Sequence, residues 1–183
     1  MTATLVLALS LLQPQAHQAG ESVPPRPSLP FESGNVRVVN RADAAGEADC
    51  NVTASSGGWQ AYGDATCRRL VRGWPGAAVA APVRESTMVI GIAAGEGAMP
   101  EPSGRGTVAI DQEAEVVIAA DGSVGQCRPL RETSSAPMGE RARICGGLMR
   151  EGAGLFAAAP DGAERRARVR TTFFRWEAAP DRN

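Results

Sequence analysis

The sequence predicts an α+β fold of two tandem small units, each about three antiparallel strands with one helix packed on the sheet. Three observations lead there. All four cysteines fall in two similar stretches, Cys50 to Cys67 and Cys127 to Cys145, with separations of 17 and 18. In the first stretch Cys50, Val52 and Ala54 alternate, as a half-buried strand requires. After a Ser55-Ser56-Gly57-Gly58 turn, Cys67, Leu70, Val71 and Trp74 recur at helical spacing and make one face.

The elements follow in chain order. Ala3 to Leu12 is an apolar run too short to span a bilayer, which takes about 20 residues. It has the length of a signal-peptide core, so residues 1–19 are expected to direct export and be removed. Residues 20–34 are rich in proline and read as a linker. The first unit spans 35–94. Val36, Val38 and Val39 suggest a strand, followed by the Cys50 strand and the Cys67 helix, which Gly73 and Pro75 stop. Met88, Ile90 and Ile92 alternate in a closing strand.

Residues 95–106 have linker composition, and the second unit spans 107–177. Its strands are expected from Val108 to Ala119 and from Val124 to Leu130, joined by a turn at Ala120-Asp121-Gly122. Met138, Ala142, Cys145 and Leu148 or Met149 share a helical face. Asp161-Gly162 turns the chain into the longest strand, Arg166 to Trp176. Arg166, Arg168 and Arg170 fall on one side of it, opposite Val169, Thr171 and Phe173, and read as a solvated face that discourages edge pairing, with an acidic partner the sharper alternative. Residues 178–183 are a tail.

Composition excludes several functions. The net charge is −1, with no basic stripe for nucleic acid. The only histidine, His17, falls in the expected export segment, so Ser-His-Asp and Cys-His catalysis and the usual His-bearing zinc sites are not expected. Aromatic residues are only 4 % of the chain, so each unit has few large side chains and a thin core that calls for a staple. Trp59, Tyr62 and Trp74 are expected in packing, with Trp59 as an exposed anchor the sharper alternative.

The combined motifs resemble the C-terminal domain of the TonB energy-transducer family. The first unit carries Cys50-Asn51-Val52, Ser55-Ser56-Gly57 and Ala65-Thr66-Cys67-Arg68. The second carries Gly122 to Cys127, Ser134-Ser135 and a terminal Phe173-Phe174-Arg175-Trp176. The second copy departs at Pro129, which replaces a strand valine and implies an edge or a break. Gly146-Gly147 weaken its helix by about 1 kcal/mol each relative to alanine.

Four cysteines allow three connectivities, and the repeat favours the local pairs Cys50–Cys67 and Cys127–Cys145. Neither pair has the Cys-x-x-Cys spacing of a redox site, and four-cysteine metal binding lacks short paired spacing. No catalytic residue, cofactor or metal is therefore expected. The resemblance implies a periplasmic protein-binding module without its own energy-coupling anchor or a stable membrane span. It would contact TonB-dependent outer-membrane receptors or other envelope proteins by strand addition. A thiol-disulfide oxidoreductase, another envelope enzyme or a degenerate structural paralogue are the alternatives.

Overall fold

A computed structural model describes residues 27–42, 48–73, 84–95, 97, 99, 101–135 and 143–177, with the backbone alone at 69–73. The expected export segment, Trp74, Met138 and Ala142 lie outside these residues. The fold is α+β: β1 (Gly34–Ala42), β2 (Ala48–Ala54), α1 (Gly57–Gly73), β3 (Arg84–Ala94), β4 (Thr107–Ile118), β5 (Val124–Ser134), α2 (Ile144–Glu151) and β6 (Arg165–Glu177). The six strands form one antiparallel sheet in the order β2-β1-β3-β6-β4-β5. The sequence strand-strand-helix-strand thus occurs twice, and the two closing strands, β3 and β6, lie side by side at the centre.

Alternation decides which face is buried. Val36 and Val38 of β1, Ile90 and Ile92 of β3, Ala114, Val116 and Ile118 of β4, and Ala167 and Val169 of β6 point to one side and are buried. Both helices cover this side, α1 over β1 and β2, α2 over β5 and β4. Trp59, fully buried, and Tyr62 enter the core from α1 and meet edge to face at 6.2 Å between ring centres. Trp59 is therefore a core residue and not an exposed anchor.

In α2, Cys145 and Leu148 pack on the core while Met149 is exposed. Gly63 lets α1 lie directly on the sheet, because a Cβ there would collide with Val52 and Val36. Gly63→Ala is expected to lower stability by about 1–3 kcal/mol through overpacking, readable as a lower denaturation midpoint. An unchanged midpoint would show that the helix can lift off without loss.

Ser55 and Ser56 act locally. The Ser55 hydroxyl accepts from the Asn35 N–H at 2.8 Å and donates to the Asn35 carbonyl at 3.2 Å, tying the turn to β1. Ser56 donates to the Glu32 carboxylate at 2.9 Å. The two hydroxyls thus tie the turn to β1 and to the segment before it.

Two segments of linker composition carry specific contacts. Leu29 is buried, and its residue pairs with Phe156 in a parallel bridge. The Leu29 N–H donates to the Leu155 carbonyl at 2.8 Å and the Ala157 N–H to the Leu29 carbonyl at 2.7 Å. The segment between β3 and β4 has a topological task. Both strands run antiparallel to β6, so they are parallel to each other and need a crossover. It passes over the sheet face that the helices leave open. Met99 and Pro102 lie against Val89, Gly91 and Thr172 there. Gly104 sits where any side chain would strike the Phe174 ring. Arg37 donates to the Ser103 carbonyl at 3.1 Å, and the Arg105 guanidinium stacks 3.5 Å above the Trp176 ring.

Candidate functional site

The outer strands, β2 and β5, differ in how their free edges are built. Opposite β1, the Ser55 N–H donates to the Asn35 carbonyl at 3.0 Å, which fixes the phase of the ladder. With the register Val36↔Ala54 to Ala42↔Ala48, residues 49, 51 and 53 bond inward to β1. The N–H and C=O groups of Ala48, Cys50, Val52 and Ala54 therefore point outward, and no described strand pairs with them. This strand has no proline and no irregularity in its register.

At the opposite edge, β5 contains Pro129, and its register with β4 slips twice. One extra residue, Leu130, lies between Pro129 and Arg131, and another, Gly125, between Val124 and Gln126. Proline removes a donor and bulges twist the edge away, so β5 is protected against further pairing. The edge position that Pro129 implied is the one observed.

Each outer strand is tied to its helix by a disulfide. Cys50 joins Cys67 with a Cα–Cα distance of 5.6 Å, and Cys127 joins Cys145 at 5.5 Å. Both local pairs form, and no described thiol is free. Cys50 lies at the centre of the outward-facing run of β2, so the first bridge clamps that edge to α1.

The open face of the sheet holds a charged ladder. The arginine row of β6 is not at an edge, because β6 is central and paired on both sides, and its exposure falls along the row from an exposed Arg166 through a part-buried Arg168. Arg170 is only 7 % exposed. Its guanidinium grips Asp111 of β4 with two bonds, at 2.9 and 3.0 Å. Thr172 donates to the same carboxylate at 2.9 Å and Arg131 of β5 at 3.1 Å. Burial would raise the pKa of Asp111, but hydrogen bonds from Arg170, Arg131 and Thr172 and the charge of Arg170 overcome this and hold it at about 2. Asp111 in turn raises the pKa of Arg170 against its own burial.

The ladder continues with Glu113 paired to Arg168 and Glu115 paired to Arg128. Glu101, from the crossing segment, stands 3.7 Å from Arg170. The carboxylate half of this ladder escaped the sequence reading. Its signal was present: Asp111, Glu113 and Glu115 alternate on β4 with the same period as the arginines of β6.

Among the described residues no group of three or more His, Cys, Asp or Glu is placed to hold a metal ion. No described helix is long and apolar enough to cross a membrane. On the open face Asp111, Glu113 and Glu115 are already paired within the chain, whereas the β2 edge offers main-chain donors and acceptors that no described strand takes up. No family model, no curated protein and no solved structure matches the chain.

Proposed function

We propose that this chain is an exported protein-binding module, similar to two tandem degenerate copies of the TonB C-terminal domain, that takes up an extended partner segment as an added strand on β2. The asymmetry of the two edges carries this reading: β2 is regular and free of proline, while β5 is bulged and interrupted by Pro129. Main-chain pairing to Ala48, Cys50, Val52 and Ala54 supplies the affinity, and side-chain alternation supplies selectivity. The added strand would place one face toward α1 and the half-buried Cys50, Val52 and Ala54, and the other toward the exposed Asp49, Asn51 and Thr53. An alternating apolar and polar segment fits such an edge.

The strand-strand-helix-strand order found twice supports the two-copy reading. Two disulfides fit an oxidising compartment such as the periplasm. Segments of outer-membrane receptors or other envelope proteins are the partner class. A photo-activatable residue at Asn51 should cross-link to an extended segment of such a protein, identified by peptide mass spectrometry. Ala54→Pro removes one outward donor without touching the ladder to β1 and should abolish the cross-link while the melting temperature stays near that of the parent. Leu130→Pro in β5 should leave it intact. Cross-links of equal yield from a probe at Arg131 in β5, or none at Asn51 under any condition, would sink the proposal.

A further inference from the structure

We propose that the open face of the sheet carries a second site, a cleft that binds a small organic carboxylate at Arg166. It is independent of strand addition at β2. The cleft encloses about 330 Å³ between Gly95, at the end of β3, and the β4–β5 hairpin. That volume is at the lower end of small-molecule sites. Val117 forms its apolar floor, with Arg166 on one side and Gln126 and the Arg128–Glu115 pair on the other. The second slip of β5 lies beside Val117, at this cleft.

The register of the ladder shows what is missing. Across β5, β4 and β6 the aligned rows are Arg131–Glu113–Arg170, Arg128–Glu115–Arg168 and Gln126–Val117–Arg166. In the first two rows an acid of β4 lies between two arginines. In the third the acid is replaced by Val117. Along β6 each arginine reaches back one row for its acid: Arg170 takes Asp111 and Arg168 takes Glu113. The next step would give Arg166 to Glu115, but Glu115 turns the other way, to Arg128.

Of the five arginines 128, 131, 166, 168 and 170, four share the carboxylates of Glu101, Asp111, Glu113 and Glu115. Arg166 is the one that no described carboxylate reaches. A ligand carboxylate seated over Val117 takes the place of the absent side chain. It accepts the planar fork of Arg166 and lays its short carbon chain on the valine. The Gln126 amide stands across the row as a further donor. The chemistry asks for one carboxylate on a short apolar stem.

The test uses propionate and succinate, titrated into the disulfide-bonded protein at constant ionic strength, with amide chemical shifts as the readout. Saturable shifts confined to Val117, Gln126, Arg166 and their neighbours are expected with both acids and not with neutral propionamide. Preference between the two separates a monocarboxylate from a dicarboxylate source. Arg166→Gln should weaken binding by at least about tenfold. Val117→Glu should do the same for a different reason, because it fills the missing position of the ladder and pairs Arg166 within the chain. Both positions face the open side, and unchanged spectra elsewhere will show that the variants fold. Absence of localised saturable shifts in the parent, or equal affinity in either variant, would overturn the proposal.

Discussion

Asp111→Ala is expected to cost about 3–5 kcal/mol, more than any other single substitution on the open face. The reason lies in what it leaves behind. Arg170 keeps only 8 % of its side chain exposed, and two of its N–H groups are directed at the lost carboxylate. The cation would stay buried without its hydrogen-bonded partner, with Glu101, 3.7 Å away and itself largely in solvent, and Glu113, already paired to Arg168, as the remaining nearby acids. Thr172 and Arg131 would lose their acceptor as well. Replacing both partners, Asp111→Leu with Arg170→Met, should cost clearly less than Asp111→Ala alone, since no charge is then stranded. Urea denaturation of the parent, Asp111→Leu, Arg170→Met and the double variant measures the coupling. A cost below about 1 kcal/mol for Asp111→Ala would mean that solvent already reaches the pair as it does a surface bridge.

The same carboxylate sets an acid limit. Its pKa in the fold is about 2, against 3.8 for an ordinary aspartate, so the folded state binds the proton less readily than the unfolded one. Stability from this group is complete above about pH 4 and is lost as the pH falls toward 2. The shift corresponds to about 2 kcal/mol. Asp111→Asn, less stable at neutral pH, should show a shallower fall between pH 4 and 2 than the parent. An equally steep fall would place the acid sensitivity in other carboxylates.

What the sequence could and could not reveal follows from the range of each interaction. The β2 strand, the α1 helix and both cysteine pairs are local, and alternation or helical spacing within some twenty residues defined them. The joining of the two halves is not local. It rests on β3 against β6, from Ala94↔Ala167 to Arg84↔Glu177, and nothing near either strand marks the other as its neighbour. Once β6 becomes central, Arg168 and Arg170 find their acids on the neighbouring β4, and Arg170 changes from a surface to an interior residue. The crossing segment was hidden for another reason. Glycine and proline signal a break in regular structure whether or not the chain there packs on something. Gly104 under Phe174 is a packing residue that composition alone counts as linker. The edge at Pro129 was legible because proline's missing donor is a local property with a global consequence.

Removing the two disulfides one at a time should give equal losses in the chain-entropy account and unequal structural outcomes. The loops they close differ by one residue, so Cys50→Ala/Cys67→Ala and Cys127→Ala/Cys145→Ala each lose about 3 kcal/mol. What holds each helix otherwise is very different. α1 has 17 residues, and Trp59 and Tyr62 anchor it in the core. It should stay docked without its bridge. α2 has eight residues and buries fully only Ile144, and Gly146-Gly147 lie at its centre.

A helix this short is not stable by itself, and each glycine costs about 1 kcal/mol relative to alanine. Apart from its bridge and the half-buried Leu148, α2 is tied to β5 by the Ile144 N–H to Glu132 at 3.3 Å and by the Arg143–Glu132 pair at 3.8 Å. The Cys127/Cys145 variant should therefore lose α2 locally before the sheet unfolds. Hydrogen exchange would show α2 amides close to unprotected while the amides of β4 and β6 keep their protection, whereas the Cys50/Cys67 variant keeps α1 protected. Gly146→Ala in the Cys127/Cys145 background should restore part of the α2 protection by raising helix propensity alone. If both variants expose their helices equally, the anchoring by Trp59 and Tyr62 is weaker than their burial implies, and the bridges carry both helices alike.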